Sequence, residues 1–252
     1  MSICLSIVSH GQNHLANDLL GDVAHIPQAL DLVLTQNKPD PTPLNTAGLT
    51  TAPRLLSNPR PMGFGANHNQ AFAHCSSEFF LVCNPDIRLP TNPLPAMLKA
   101  MEDPRVAVVS PLVVNPEGQA EDSARRFPQL SDLVQKALGR ADGRHPIVAH
   151  HGVNAVPVDW NAGMFLLFRA SAFKAMGGFD ERYHLYYEDV DICARLWNSG
   201  WTVAVTPNAT VVHTAQRTSR RNLRYMSWHA ASMARYLWRH SGRLPPNAPS
   251  QR

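Results

Sequence analysis

The first forty residues leave the chain little freedom of fold. Residues 3–9 (Ile-Cys-Leu-Ser-Ile-Val-Ser) form a short unbroken apolar run, the pattern of a strand buried on both faces of a parallel sheet. His10-Gly11 ends that run, and Leu15, Leu19, Leu20 and Val23 then recur at helical spacing. Residues 31–35 read as a second strand that stops at Gln36-Asn37. Strand, helix and strand in this span make a βαβ unit, so an open α/β sheet is expected. Such sheets bind ligands beyond the C-terminal ends of their strands, which puts Ser9, His10 and Asn37 on a binding rim.

The alternation continues. Six prolines between residues 38 and 61 exclude regular structure over most of that stretch, apart from a short strand at 54–57. Gly63-Phe64-Gly65 then opens a helix that runs through residue 73 and includes Asn69; the glycines allow a ligand to approach the backbone. Residues 78–83 are the strongest strand in the chain and run straight into Asn84-Pro85-Asp86. A carboxylate at the end of a central strand is placed to hold a divalent cation, with Asn84 as a neutral oxygen donor. A helix at 93–101 and a strand at 106–110 follow, then a less legible stretch. It holds a short apolar run at 112–114, a turn at 115–118, a helix near 130–138 and a polar loop at 139–154. Residues 156–169 return to strand character around a small-residue turn, Asn161-Ala162-Gly163, next to Trp160; a short helix at 171–176 comes next. Later come strands at 201–206 and 209–213, the second ending in His213, and a helix at 218–240.

Charge is unevenly distributed. Five of the nineteen acidic residues fall within twelve positions: Asp180, Glu181, Glu188, Asp189 and Asp191. They lie among Phe179, Tyr183, Tyr186 and Tyr187. Like charges crowded against rings gain nothing from folding, so chemistry is the better reason for them. Asp189 begins a helix whose 189, 193, 196/197 stripe points inward, and the helix N-terminus favours its anionic form. Asp191 and Arg195, four apart, pair across one turn. No acidic residue follows Asp191, whereas nine arginines occur from Arg195 to Arg252. That balance suits an anionic ligand, phosphate above all. Arginine interleaved with tryptophan and tyrosine in the last helix also fits a membrane surface. Binding of nucleic acid is disfavoured, because the basic charge is local and no recognition motif accompanies it.

The four cysteines are widely spaced, form no CxxC pair and sit in or beside apolar runs, so buried reduced thiols are expected. With no signal-type segment and no apolar stretch long enough to span a bilayer, a cytoplasmic protein is expected, peripheral at most on the inner membrane face.

Several of these segments in order carry a resemblance that none carries alone. They are Ser6-Ile7-Val8-Ser9, Gly63-Phe64-Gly65-Ala66-Asn67-His68-Asn69, Asn84-Pro85-Asp86 and Asn161-Ala162-Gly163-Met164. Gly178-Phe179-Asp180-Glu181, Tyr187-Glu188-Asp189-Val190-Asp191 and Val211-Val212-His213 complete the set. The chain resembles the family 2 glycosyltransferases of GT-A fold, in particular the bacterial rhamnosyltransferase-like group, over residues 2–240. The resemblance implies a Rossmann-like, mostly parallel sheet flanked by helices, with a C-terminal basic and aromatic helix. It further implies a single domain over 1–243: a nucleotide-sugar half at 1–110, an acceptor and catalytic half at 111–216, and the basic helix at 217–243. Residues 244–252 are then a tail.

The implied activity is transfer of a sugar, with rhamnose as the subgroup's example, from a dTDP- or UDP-sugar to an acceptor hydroxyl with inversion. The acceptor is a saccharide or a polyprenyl-diphosphate-linked sugar, and the cofactor is Mg²⁺ or Mn²⁺. Asp189 matches the family's general base, with Glu188 as its neighbour. Asp86 matches the metal-binding carboxylate, and His213 a further metal ligand or diphosphate contact. Ser9, His10, Asn37, Gly63, Phe64, Gly65, Asn69, Asn84, Asp86, Arg217 and Arg220 are the implied donor-side residues; Trp160, Gly163, Asp180 and Glu181 are the acceptor-side ones. One departure stands out. Many relatives follow the second strand with Asp-Asn-x-Ser-x-Asp, whereas here Thr35-Gln36-Asn37-Lys38-Pro39-Asp40 keeps only Asn37 and Asp40. A nucleotide-sugar binder without catalysis is the alternative reading.

Overall fold

A computed structural model describes residues 1–129, 153–214, 223–245 and 248–249. The N-terminal βαβ unit forms as read: β1 (Ile3–His10), α1 (Asn13–Val23) and β2 (Leu30–Lys38), with β1 and β2 parallel in register Ile3 to Leu30. β3 (Arg54–Ser57) adds a parallel edge to β2. α2 (Phe64–Phe72) crosses to β4 (Phe79–Cys83), which lies parallel to β1 on its other side. Both faces of β1 and β4 are covered, which is why their sequences are continuously apolar rather than alternating.

β5 (Ile87–Arg88), α3 (Leu94–Ala100), β6 (Val106–Val114) and β7 (Ala124–Arg125) follow. Then come β8 (Val156–Pro157), β9 (Trp160–Asn161), β10 (Phe165–Arg169), α4 (Ala170–Ala175), α5 (Glu188–Asn198), β11 (Thr202–His213) and α6 (Leu223–His240). The main sheet runs β3-β2-β1-β4-β10-β6-β11-β5, with β8 on β11, while β7 and β9 form a separate ribbon. β10 enters antiparallel between β4 and β6, and β6 and β11 are parallel again. The runs at 106–110 and 112–114 are one strand, as are those at 201–206 and 209–213. Within β11 a register irregularity between Thr206 and Thr210 takes up the intervening Pro207. The helix expected near 130–138 and the loop at 139–154 lie outside the described residues, save 153 and 154.

The cysteine expectation needs correction. Cys4 and Cys75 are joined by a disulfide, because α2 lies along β1 and brings two residues 71 apart in sequence to a Cα separation of 5.8 Å. No spacing rule reveals such a pair; only the packing of the helix does. Cys83 and Cys193 are buried free thiols, as expected.

One polar side chain is sealed inside. His68 on α2 is 1% exposed, meets Ser6 Oγ through Nδ1 at 2.8 Å and has the Phe64 ring 4.6 Å away. Burial lowers its pKa from 6.5 to about 3. In the unfolded chain it protonates below 6.5, in the fold only near 3, so stability is full above 6.5 and is lost as pH falls from there. Urea unfolding at pH 7.5 and 5.5 should show this group removing about 1.4 kcal/mol, and His68→Gln should flatten that part of the slope.

Candidate active site

The strands set the address. β1, β2 and β4 end on one edge of the sheet, and antiparallel β10 begins there, Phe165 lying opposite Cys83. The turn Asn161-Ala162-Gly163 therefore faces the loop Asn84-Pro85-Asp86; Asn84 N–H donates to Met164 O at 2.9 Å. β11 delivers His213 to the same edge, paired with Ile87.

At one end of this edge Asp86 and His213 meet, Oδ2 to Nε2 at 3.2 Å. On its other nitrogen His213 meets Glu121 Oε2 at 2.6 Å. Burial opposes protonation of this imidazole, but Asp86 and Glu121 outweigh it and raise the pKa to about 9. The backbone of Asp86 is pinned by Thr214, whose N–H and Oγ both donate to Asp86 O at 2.9 Å. Asp86 Oδ1 is buried without a hydrogen-bond partner. Among the described residues no three His, Cys, Asp or Glu converge as a ready-made metal cage. An open carboxylate oxygen beside an imidazole nevertheless fits a cation whose remaining ligands are phosphate oxygens and water.

Beside the 161–163 turn α5 begins with Glu188 and Asp189. Asp189 Oδ2 accepts the Gly163 N–H at 2.9 Å, and Oδ1 accepts the Val190 N–H at 2.8 Å. Glu188 is 4% exposed, and its Oε2 has no partner. Burial first, then the charge of Asp189, pushes the Glu188 pKa well above the ordinary range. Burial also raises Asp189, against the hydrogen bonds from Gly163 and Val190 and the positive charge of Arg125. Asp189 has the Gly163 and Val190 N–H groups and a cation to stabilise its charge where Glu188 has only its own N–H, so Glu188 is the neutral member and Asp189 the carboxylate. The inward stripe of α5 is as expected, with Cys193, Leu196 and Trp197 all buried. Immediately before the pair, Tyr186 and Tyr187 both take left-handed backbone, φ 68°. Bulky residues adopt that region only under outside constraint, and such strain gathers at functional sites.

The constraint comes from α6. The His184 ring lies 4.4 Å from Trp228, Tyr187 lies 5.4 Å from both His229 and Tyr236, and Ser232 Oγ donates to Leu185 O at 2.9 Å. Asp191, fully buried, forms the expected pair with Arg195 at 2.7 Å and also takes His240 Nε2 at 2.8 Å. Asp180 is clamped between Arg182, at 2.6 Å, and Arg239, which hold its carboxyl well below the usual range.

Other sequence candidates hold the site together. Asn69 Oδ1 accepts the Phe179 N–H at 2.9 Å; its Nδ2 donates to Phe179 O at 2.8 Å and to Glu181 Oε1 at 3.0 Å. A side chain on Gly178, itself left-handed at φ 73°, would run into Asn69. Gly63 and Gly65 press against His184 and Phe179, and the Phe64 ring lies against Gly163. These four positions thus join α2 to the 177–189 turn. Asn37 carries a rim network: its Oδ1 accepts from Asn58 Nδ2 at 2.9 Å and Met62 N–H at 2.7 Å, and its Nδ2 reaches His10 Nδ1 at 2.8 Å. Ser9 Oγ accepts the Gln12 N–H at 3.1 Å. Trp160 is buried, donates Nε1–H to Arg126 O at 2.8 Å and carries the Arg125 guanidinium 5.9 Å from its ring. Arg217 and Arg220 lie outside the described residues. Glu121 and Arg125 were not among the sequence candidates. Both sit in the stretch whose strand pattern is too short to read, and no motif marks them.

The sequence and the fold match known proteins. The model of glycosyl transferase family 21 matches residues 65–238. The N-acetylglucosaminyl-diphospho-decaprenol L-rhamnosyltransferase of Mycobacterium tuberculosis is 33% identical over 209 residues, covering 75% of this chain and 68% of that protein. Rhamnosyltransferase WbbL of Escherichia coli is 30% identical over 248 residues, 94% of this chain and 93% of the relative. Among solved structures, a mannosyltransferase from Pyrobaculum calidifontis in complex with GDP-Man and Mn²⁺ superposes with TM-score 0.61 at 16% identity over 97% of this chain. GalNAc-T7 with UDP, GalNAc and Mn²⁺ gives 0.66 at 14% identity, also over 97%. The chain spans 66% and 52% of those two structures' lengths. Fold and matches define a glycosyltransferase of GT-A architecture. Within that class the chain belongs to the family 2-like glycosyltransferases matched by the family 21 model, in the bacterial rhamnosyltransferase-like group.

Asn69→Ala removes two hydrogen bonds to the backbone of buried Phe179 and should cost about 2 kcal/mol in urea unfolding. Glu181→Ala, at the exposed end of the same side chain, should stay within about 0.5 kcal/mol.

Proposed function

We propose that the chain is an inverting transferase that moves a sugar, rhamnose being the candidate its relatives' names support, from a dTDP- or UDP-sugar. The receiving group is a hydroxyl of a saccharide or polyprenyl-diphosphate-linked acceptor in bacterial surface polysaccharide synthesis. The observation that carries the reading is Asp189, half-buried and anionic, held by the Gly163 N–H across the sheet edge from Asp86 and His213. Asp189 takes the proton of the acceptor hydroxyl as that oxygen bonds to the anomeric carbon; the bond from that carbon to the diphosphate oxygen breaks on the opposite side, inverting the centre. Asp86 and His213 would hold Mg²⁺ or Mn²⁺, which when bound neutralises the charge gathering on the departing diphosphate. Asn37, His10 and Ser9 line the rim where the nucleotide would lie. Glu188, neutral and without a partner on Oε2, has a proton to donate towards the acceptor or Asp189.

The last helix supports a place for a lipid-linked acceptor. Its inner face covers the turn before the catalytic pair. Its outer face exposes Leu223, Met226 and Trp238 (81%, 55% and 85%) together with Ala230, Ala231 and Ala234, over about 22 Å. Arg224 and Arg235 run along one side of this strip. An apolar strip edged by arginine suits an anionic bilayer surface and the inner face of the cytoplasmic membrane. Among the described residues no helix is long and apolar enough to cross a membrane.

Asp189→Asn should lower transfer about 10²–10⁴-fold while Mn²⁺-dependent dTDP or UDP binding, read by thermal shift, stays intact. Transfer surviving the change would remove Asp189 as base, and an inactive wild-type chain that still binds nucleotide would favour the non-catalytic alternative. Because burial raises the Asp189 pKa above 3.8, the acid limb of kcat/KM should fall at a pH above the ordinary aspartate range as the base takes up a proton. The chain should sediment with phosphatidylglycerol vesicles and not with phosphatidylcholine ones, and Trp238→Ser should weaken that binding about 30-fold, roughly 2 kcal/mol being at stake for a buried indole.

A further inference from the structure

Glu121 sits on a stiff piece of chain. After β6 the Asn115–Gln119 turn is closed by Asn115 N–H to Gln119 O at 2.9 Å, Gly118 N–H to Asn115 O at 2.9 Å and Gln119 N–H to Asn115 Oδ1 at 2.8 Å. The chain then doubles back along the end of β6, with Val114 bridged to Ala120 and the Glu121 N–H donating to Val113 O at 2.8 Å. Two residues on, Ser123 O accepts the Ala162 N–H at 2.7 Å, so the same segment braces the turn that carries Gly163. Glu121 is thus fixed in register with the sheet edge, and its Oε2 meets His213 Nδ1 at 2.6 Å.

An imidazole binds a cation through one nitrogen while the other N–H needs an acceptor, and a carboxylate in that place fixes the tautomer and makes the ligand more basic. With Nδ1–H given to Glu121, the nitrogen left to face Asp86 is Nε2, 3.2 Å from Oδ2 and beside the unpartnered Oδ1. We propose that Glu121 is the positioning residue of the cation site, holding His213 so that Nε2 and Asp86 bind a divalent cation together. The proposal rests on the cation reading given above.

Mn²⁺ titrated calorimetrically into the full chain, alone and with dTDP present, tests it. Glu121→Ala should weaken Mn²⁺ about 10–100-fold, and Glu121→Gln, which keeps an acceptor oxygen, should recover most of that loss. dTDP affinity measured without metal should not move in either variant, whereas a general loss of structure would lower it. Mn²⁺ affinity unchanged in Glu121→Ala but lost in Asp86→Ala and His213→Ala overturns the role of Glu121 and leaves the cation reading standing. Affinity unchanged in all three overturns both. The wild-type protein gives an answer without any variant: in the Mg²⁺-loaded form the ¹⁵N shifts of His213 should show Nδ1 protonated, and an Nε2–H tautomer sinks the proposal.

Discussion

The antiparallel pairing of β10 with β4 is the interaction on which the site depends. A fully parallel sheet would have sent the chain between β9 and β10 to the opposite edge, away from Asp86. Running the strand backwards, with Phe165 against Cys83 and Leu167 against Leu81, turns the small-residue loop at 161–163 onto the binding rim. From there the Gly163 N–H reaches Asp189, and Ala162 is braced by Ser123. The Asn84–Asp86 loop and the 161–163 turn are therefore joined by backbone hydrogen bonds at one sheet edge, and the Gly163 N–H in turn holds the Asp189 carboxylate. Fixed geometry of that kind would serve the displacement proposed above, in which nucleophile and leaving group must be held on opposite sides of one carbon.

The division of the acids follows from their surroundings. Asp180 and Asp191 are paired with arginine, Asp191 also meets His240, and both anchor the last helix, so they hold shape. Asp189 is stabilised by N–H groups and by Arg125 at longer range, which leaves a carboxylate able to accept a proton. Glu188 has only its own N–H against burial and the charge of Asp189, which keep it neutral. Of these four carboxyl groups within twelve residues one is thus neutral and three are anionic, because each meets a different set of donors.

Much of this was legible in the sequence, for identifiable reasons. The buried strands at 3–9 and 78–83 are continuous apolar runs, and the stripe behind Asp189 has clean helical spacing. The family motifs fixed the candidates Asp86, Asp189 and His213 in order. Other features left no trace. The reversal of β10 has no local signature, since a buried strand reads the same in either direction. The Cys4–Cys75 link depends on helix packing over 71 residues of separation. Glu121 and Arg125 lie on strands two residues long or just outside them, where no periodicity can develop. Asn69 reads as a donor-side residue, yet it meets Gly178 and the Phe179 backbone, which only the docking of α2 against the 177–189 turn reveals.

The left-handed pair Tyr186-Tyr187 has a consequence for how the molecule is built and taken apart. Two aromatic residues in that conformation are held by the rings of α6, not by local preference. The last helix therefore acts as a keystone: it closes the arch over which the Glu188 and Asp189 carboxyl groups are set, although it contributes no strand to the sheet. A chain cut after β11 would keep its sheet hydrogen bonds and most of its apolar core, while the turn before Glu188 would lose its outer wall and relax towards ordinary backbone. The sheet thus carries most of the apolar core, while the shape of the turn before Glu188 depends on a helix distant in sequence.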